Sequence, residues 1–254
     1  MRMRSAISVT VAAAALLTVA GCGDGDGGGD AKPFAGKSAD EIAADAVKAT
    51  EQADSMHMKG TVRPSGSAGA SGSPVTVDLS VDQRKNCTGT IRNGDTSADI
   101  RHTDATMYLR GDEKYWQNAL KKQPGGEKIV PKVADKWVKA PADDAMTQGL
   151  CDKQGLVASM DENKSERTGM KKGSTTTVDG AEAIRLTKKT AGGETLTLYV
   201  ATEGKPYILR TTSSGGEDPN TATFSDYGKP VRPQAPEAGE TVDLEELAAD
   251  AQKA

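Results

Sequence analysis

The chain has 254 residues, with 36 acidic against 32 basic side chains, 4% aromatics and three cysteines. Arg2 and Arg4 are the only charged residues before Cys22, so the remainder carries 36 acidic against 30 basic residues, a net of −6. That balance excludes the basic face a nucleic-acid binder needs, and strong electrostatic docking on anionic lipid head groups.

The first predicted element is a segment for export. Arg2 and Arg4 give a positive start, and Ile7 to Leu17 form an apolar run too short to span a bilayer, which takes about 20 residues. Residues 1–21 therefore read as a signal peptide. Its end, Leu16-Leu17-Thr18-Val19-Ala20-Gly21-Cys22, closes on Val19-Ala20-Gly21-Cys22. This resembles the bacterial lipobox, in which an aliphatic and two small residues precede a cysteine. That resemblance implies that the Cys22 thiol takes a diacylglycerol and becomes the first mature residue. The alternative is an ordinary secretory signal with Cys22 as a bystander. Residues 22–37 follow as a Gly/Asp-rich tether with nothing to bury.

Ser38-Ala39-Asp40-Glu41 is a capping box. Ile42, Ala46, Val47, Ala49 and Ala53 continue it at helical spacing, predicting an Ala-faced helix over 39–54. The Met56/Met58 alternation opens a strand to about Val62. A Gly/Ser/Ala loop from Pro64 to Pro74 leads to Val75–Asp82, the cleanest period-two run in the chain. Strands over 87–92, 98–102 and 106–110 follow, with Asn93-Gly94 and Thr103-Asp104 as turns, and read as an antiparallel meander. Tyr115, Trp116, Ala119 and Leu120 predict a short helix ended by Pro124-Gly125-Gly126. Ile129–Lys136 predicts another turn or two, and Trp137–Lys139 an extended piece. Leu150, Cys151, Val157 and Met160 share a helical face. Strands return over 175–178, 181–188, 195–200, 207–212 and 221–227. Residues 38–236 thus form a single domain. Residues 237–254 are a tail in which Asp243 and Glu246 cap a short helix holding Leu244 and Leu247.

Cys87 and Cys151 remain once Cys22 is set aside. In an exported chain an even pair points to a disulfide. Two buried thiols or half a metal site are the alternatives. A metal is disfavoured because there is no Cys-x-x-Cys and His57 and His102 are the two histidines.

Three stretches carry a family resemblance. They are the Ala-rich helix with Met56-His57-Met58-Lys59-Gly60; Thr106–Arg110 with Tyr115-Trp116 and Lys136-Trp137-Val138; and Val178-Asp179-Gly180, Leu196–Val200, Lys205-Pro206-Tyr207 and Phe224–Gly228. In this order the chain resembles the actinobacterial LppX/LprG-type lipoproteins and, more loosely, the LolA-like fold, over residues 38 to 232. The resemblance implies an α+β fold: a strongly curved antiparallel sheet, half a barrel, with helices across its concave face. A long sheet with one apolar face must curl and be covered. Where the helices fill the hollow it is a core; where they fall short it is a cavity, and the small Ala face favours falling short. The side chains facing it would be Val62, Val77, Leu79, Val81, Ile100, Ile184, Leu186, Leu196 and Leu198.

For function, catalysis needs a nucleophile with its base, paired carboxylates or metal ligands. No Gly-x-Ser-x-Gly elbow is present. His57 and His102 are candidate bases that read equally as polar-face residues, and Asp143-Asp144 reads as a solvated face. No catalytic residue, metal or cofactor is assigned, and an enzyme is not expected. The expectation is a monomeric lipoprotein held by its N-terminal lipid at the outer face of the cytoplasmic membrane, carrying a lipid or other acyl-chain ligand. The alternative is an envelope scaffold with a filled core.

Overall fold

A computed structural model describes residues 34–62, 74–103, 106–141, 149, 151–162, 168–216 and 219–253, all within one compact unit. Cys22 with the export segment, the 64–73 part of the Gly/Ser loop, and Asp143-Asp144 lie outside the described residues.

Helix α1 (Ala39–Gln52) starts on its capping box: the Glu41 amide donates to Ser38 Oγ at 3.2 Å, and the Ser38 amide to Glu41 Oε2 at 2.7 Å. Ile42, Ala43, Ala46, Val47 and Thr50 are its buried stripe. A meander follows: β1 (Ser55–Val62), β2 (Val75–Asp82), β3 (Cys87–Asn93), β4 (Thr96–Thr103) and β5 (Thr106–Gly111). Then come α2 (Glu113–Leu120), α3 (Gly126–Val133), β6 (Trp137–Pro141) and α4 (Lys153–Glu162). The chain returns to strands in β7 (Lys171–Val178), β8 (Ala181–Lys189), β9 (Thr195–Ala201), β10 (Ile208–Ser214) and β11 (Asn220–Ser225), and ends in β12 (Thr241–Asp243) and α5 (Leu244–Lys253).

All twelve strands join one sheet in the order β12-β6-β5-β4-β3-β2-β1-β11-β10-β9-β8-β7. The fold is α+β. Flat, such a sheet would be roughly 50 Å wide at about 4.8 Å per strand, while α1 is only about 21 Å long at about 1.5 Å per residue. Yet the buried face of β1–β5 and β8–β10 joins a single hydrophobic cluster with α1, α2, α3 and α4. Only a sheet wrapped around those helices brings such distant strands together. β12 and β7 do not pair, so the half-barrel stays open.

Cross-strand register fixes which side chains share a row on the concave face. One row runs Leu79–Gly89–Ile100–Leu109–Val138. Another runs Leu186–Leu198–Thr211–Ala222–Gly60–Val77. Gly60 sits where a Cβ would lie 2.4 Å from the Thr221 carbonyl oxygen, and one on Gly89 would lie 2.0 Å from that of Asp78, so both positions require glycine for the strands to meet.

The structure departs from the sequence reading in four places. β7 begins at Lys171 rather than Thr175, because its first seven residues are exposed and give no alternation. The β3–β4 turn uses Gly94-Asp95, with Asn93 still paired to Thr96; Gly94 has φ +61° and supplies the backbone the two-residue loop needs. α3 spans Gly126–Val133 rather than Ile129–Lys136, starting after Gly125 at φ +72° and ending before Asp135 at φ +60°. Finally, the stretch expected as a tail is part of the sheet: β12 pairs parallel with β6, so the sheet is mixed, and α5 packs on β6 and α3. Between β11 and β12 the chain crosses the outer face, where Arg101 Nη1 donates to the Gln234 carbonyl. There Trp137 is buried under the guanidinium groups of Arg101 and Arg110, 4.3 and 4.8 Å from its ring centre.

Candidate functional site: a hollow beneath the first helix

The two ends of the concave face are covered differently. Over β4 and β5 lies α2 with Trp116 and Leu120, and α3 packs on α2 with Ile129, Val130 and Val133, all buried. Over β9 and β10 lies α1, bringing Ala43, Ala46 and Val47. Ala43 and Ala46 pack into the core, and at Val47 the cover leaves space beside β9 and β10.

That space is an open-sided pocket of about 300 Å³. Val47 roofs it, and Leu196, Leu198 and Ile208 form its apolar wall, with Met170 at the side. Its floor follows from register: Leu198 stands beside Thr211, and Leu196 beside Ser213, which in turn stands beside Asn220. Thr211, small beside Leu198, belongs to this floor, with Thr197 and Thr212 also in the lining. One end is therefore apolar and the other, at Glu194, Ser213 and Asn220, polar. Ser213 Oγ donates to Glu194 Oε1, and Glu194 is the charged residue of the lining.

Several contacts hold α1 in place. Asp40 accepts the Gly169 and Met170 amides at 2.9 and 3.0 Å, which sets Met170 beside the pocket. Where the β9–β10 register slips between Ile208 and Arg210, the Ile208 amide donates to Thr50 Oγ1 at 3.2 Å, so the irregularity leaves no orphan donor. Lys153, 1% exposed, donates from Nζ to the Thr50 and Glu51 carbonyls, both at 2.9 Å. It places a cation on carbonyls of the last turn of the helix, where the dipole favours it. Burial lowers the Lys153 pKa, while Glu51 and Asp54 oppose that. Two residues earlier, Cys151 is bonded to Cys87, with Cα atoms 5.6 Å apart, so α4 is tied to β3 and to α1 together.

Of the nine side chains expected to face a hollow, Leu196 and Leu198 line this pocket. Val77, Leu79, Val81, Ile100, Ile184 and Leu186 are buried in the packed cluster, and the Val62 side chain lies outside the described residues. Val47, Met170, Ile208, Thr211, Ser213, Asn220 and Glu194 were not singled out from the sequence. The register of β9 against β10 and β11 brings four of them together, and turn spacing alone does not fix that register.

Two other hollows are lined differently. One of about 330 Å³ between α2 and α3 is edged by Glu113, Gln117, Lys121 and Glu127; one of about 420 Å³ at the start of β1 is edged by Asp54, Asp82, Arg84, Lys229 and Arg232. The first also has Leu120, Val130 and Pro131 in its wall but lies between two helices, whereas the β9–β10 pocket lies on the sheet.

His57 lies on the outer face. Its Nε2 is 2.7 Å from Asp78 Oδ1 and its Nδ1 3.3 Å from Ser225 Oγ, with Lys59 Nζ 3.2 Å from Asp78 Oδ2. The hydrogen bond from His57, aided by Lys59, lowers the Asp78 pKa. Serine, histidine and aspartate thus stand in line, but none of the three hollows includes them. His102 is buried on the concave face opposite Cys87, with Nδ1 at the Lys85 carbonyl. Among the described residues no group of three or more His, Cys, Asp or Glu side chains is placed to hold a metal ion, and no helix is long and apolar enough to cross a membrane.

No protein-family model matches the chain, and no curated protein sequence matches it. Solved structures do. LprF from Mycobacterium bovis is 18% identical, covers 79% of this chain and 97% of its own, and superposes with a TM-score of 0.51. The Mycobacterium tuberculosis lipoprotein LppX is 14% identical, covers 77% and 97%, and gives a TM-score of 0.46. The likeness to LprF shows the fold: the half-barrel implied by the sequence resemblance is the one this chain adopts.

Proposed function

We propose that this chain is an exported lipoprotein, anchored through Cys22 at the outer face of the cytoplasmic membrane, that holds a lipid or other acyl-chain ligand in the pocket beneath α1. The observation that carries this reading is the pocket's asymmetry. Val47, Leu196, Leu198, Ile208 and Met170 line a hollow on β9 and β10, while the row Leu79, Ile100, Leu109 and Val138 on the other half of the same sheet is packed. Desolvation alone drives such binding: each methylene buried contributes about 0.8 kcal/mol, so a chain of several methylenes binds without any reactive group. The LprF-like fold is consistent with this role but does not define the ligand.

The test uses the chain from Ala31, which retains the whole compact unit Pro33–Ala254. Native mass spectrometry of freshly purified protein is expected to show adducts in the mass range of acyl lipids, removed by delipidation. Bare protein alone, together with no thermal shift on adding acyl-chain probes, would overturn the reading in favour of an envelope scaffold.

A further inference from the structure

Resting on that reading, we infer that the pocket selects its occupant by the head group: it takes a single acyl chain whose head donates hydrogen bonds and bears no negative charge. About 300 Å³ lies at the small end of ligand sites, which run to about 1,000 Å³, so one chain rather than several is accommodated. The apolar wall fixes the chain's direction. With its tail against Val47, Leu198 and Ile208, its head reaches the Leu196–Ser213–Asn220 row at the far end. There the lining presents one charge, the Glu194 carboxylate. A carboxylate is acceptor-only, and Ser213 already donates to its Oε1, leaving Oε2 for a ligand donor. An ammonium or hydroxyl group satisfies it; a fatty-acid carboxylate or a phosphate ester meets like charge close to an apolar wall, where screening is weak.

Titration calorimetry with dodecylammonium, dodecyl glucoside and dodecanoate, each below its micelle concentration, tests this on the chain from Ala31. The ammonium and the glucoside are expected to bind at least tenfold more tightly than dodecanoate. Glu194→Gln should collapse the ammonium-to-dodecanoate ratio to within about threefold, and Glu194→Lys should reverse it. Glu203→Gln removes the same charge from the exposed β9–β10 turn and should leave the ratio unchanged, which separates local recognition from the chain's net negative field. Equal binding of all three, or a ratio that Glu203→Gln shifts as far as Glu194→Gln does, would overturn the inference while the acyl pocket stands. Binding of none would remove the pocket reading and this inference with it.

Discussion

The two halves of the sheet follow one backbone plan and reach opposite ends. In β2–β5, Leu79, Ile100 and Leu109 stand in one packed row, and all three are at most 3% exposed. In β9–β11, Leu196, Leu198 and Thr211 line a pocket with Val47 of α1. Strand alternation is the same in both. The difference is in how completely the covering elements fill the face, which the strand pattern itself does not record. The disulfide and Lys153 tie α4 to β3 and to the C-terminal turn of α1.

The sharpest way to break the comparison is to place the same charge in both halves. Leu79→Arg buries an unpaired guanidinium in a filled core and is expected to cost more than about 4 kcal/mol, leaving the domain unfolded by circular dichroism at room temperature. Leu198→Arg can extend its head toward the open polar end. It should retain a cooperative melt within a few degrees of the parent and lose at least tenfold in acyl-chain affinity. If both unfold alike, the pocket is a core.

Next in size is the strap between the halves. Replacing Cys87 and Cys151 together by serine frees a 64-residue separation and is expected to cost about 2–4 kcal/mol in urea unfolding. Hydrogen exchange should rise first in α4 and the C-terminal turn of α1, whose carbonyls Lys153 holds.

The smallest effect is a pH dependence with one tyrosine in each half. Tyr115 packs edge-on against Trp116, and Tyr227 stacks on Tyr207, ring centres 4.0 Å apart, while its hydroxyl donates to the Ile208 carbonyl. Burial raises both pKa values above the usual 10.0. The unfolded chain therefore releases these protons first. Stability from these groups is complete below about pH 10 and falls as pH rises through the elevated folded values. Tyr227→Phe should weaken that fall at a cost of about 1 kcal/mol at neutral pH, read from urea midpoints and phenolate absorbance.

How much of this the sequence discloses depends on how local each signal is. The capping box of α1 needs four adjacent residues and is legible outright. Val75–Asp82 alternates because one face is buried, and is equally legible. Lys171–Ser174 is exposed on an edge strand and gives no pattern. Thr241–Asp243 is three residues whose partner, Trp137–Lys139, lies about a hundred positions away. The pocket is hardest. A lining leucine and a core leucine are the same residue: Leu198 lines the pocket while Leu186, its neighbour in the same row, is wholly buried.

The pairing of β1 with β11 has a kinetic meaning. It sets His57 beside Ser225, 168 residues apart, at the middle of the sheet. A chain delivered from its N-terminus can build the β1–β5 meander from local hairpins early, but the central seam waits for nearly the whole length to arrive. Long-range pairings of this kind are slow to form. Until the seam closes, the β1 edge is an unpaired strand beside exposed Met56 and Met58. The interval before closure is thus the period when this chain is most open to misassociation, and the local β8–β10 meander, waiting with β11 as its leading edge, is what shortens it.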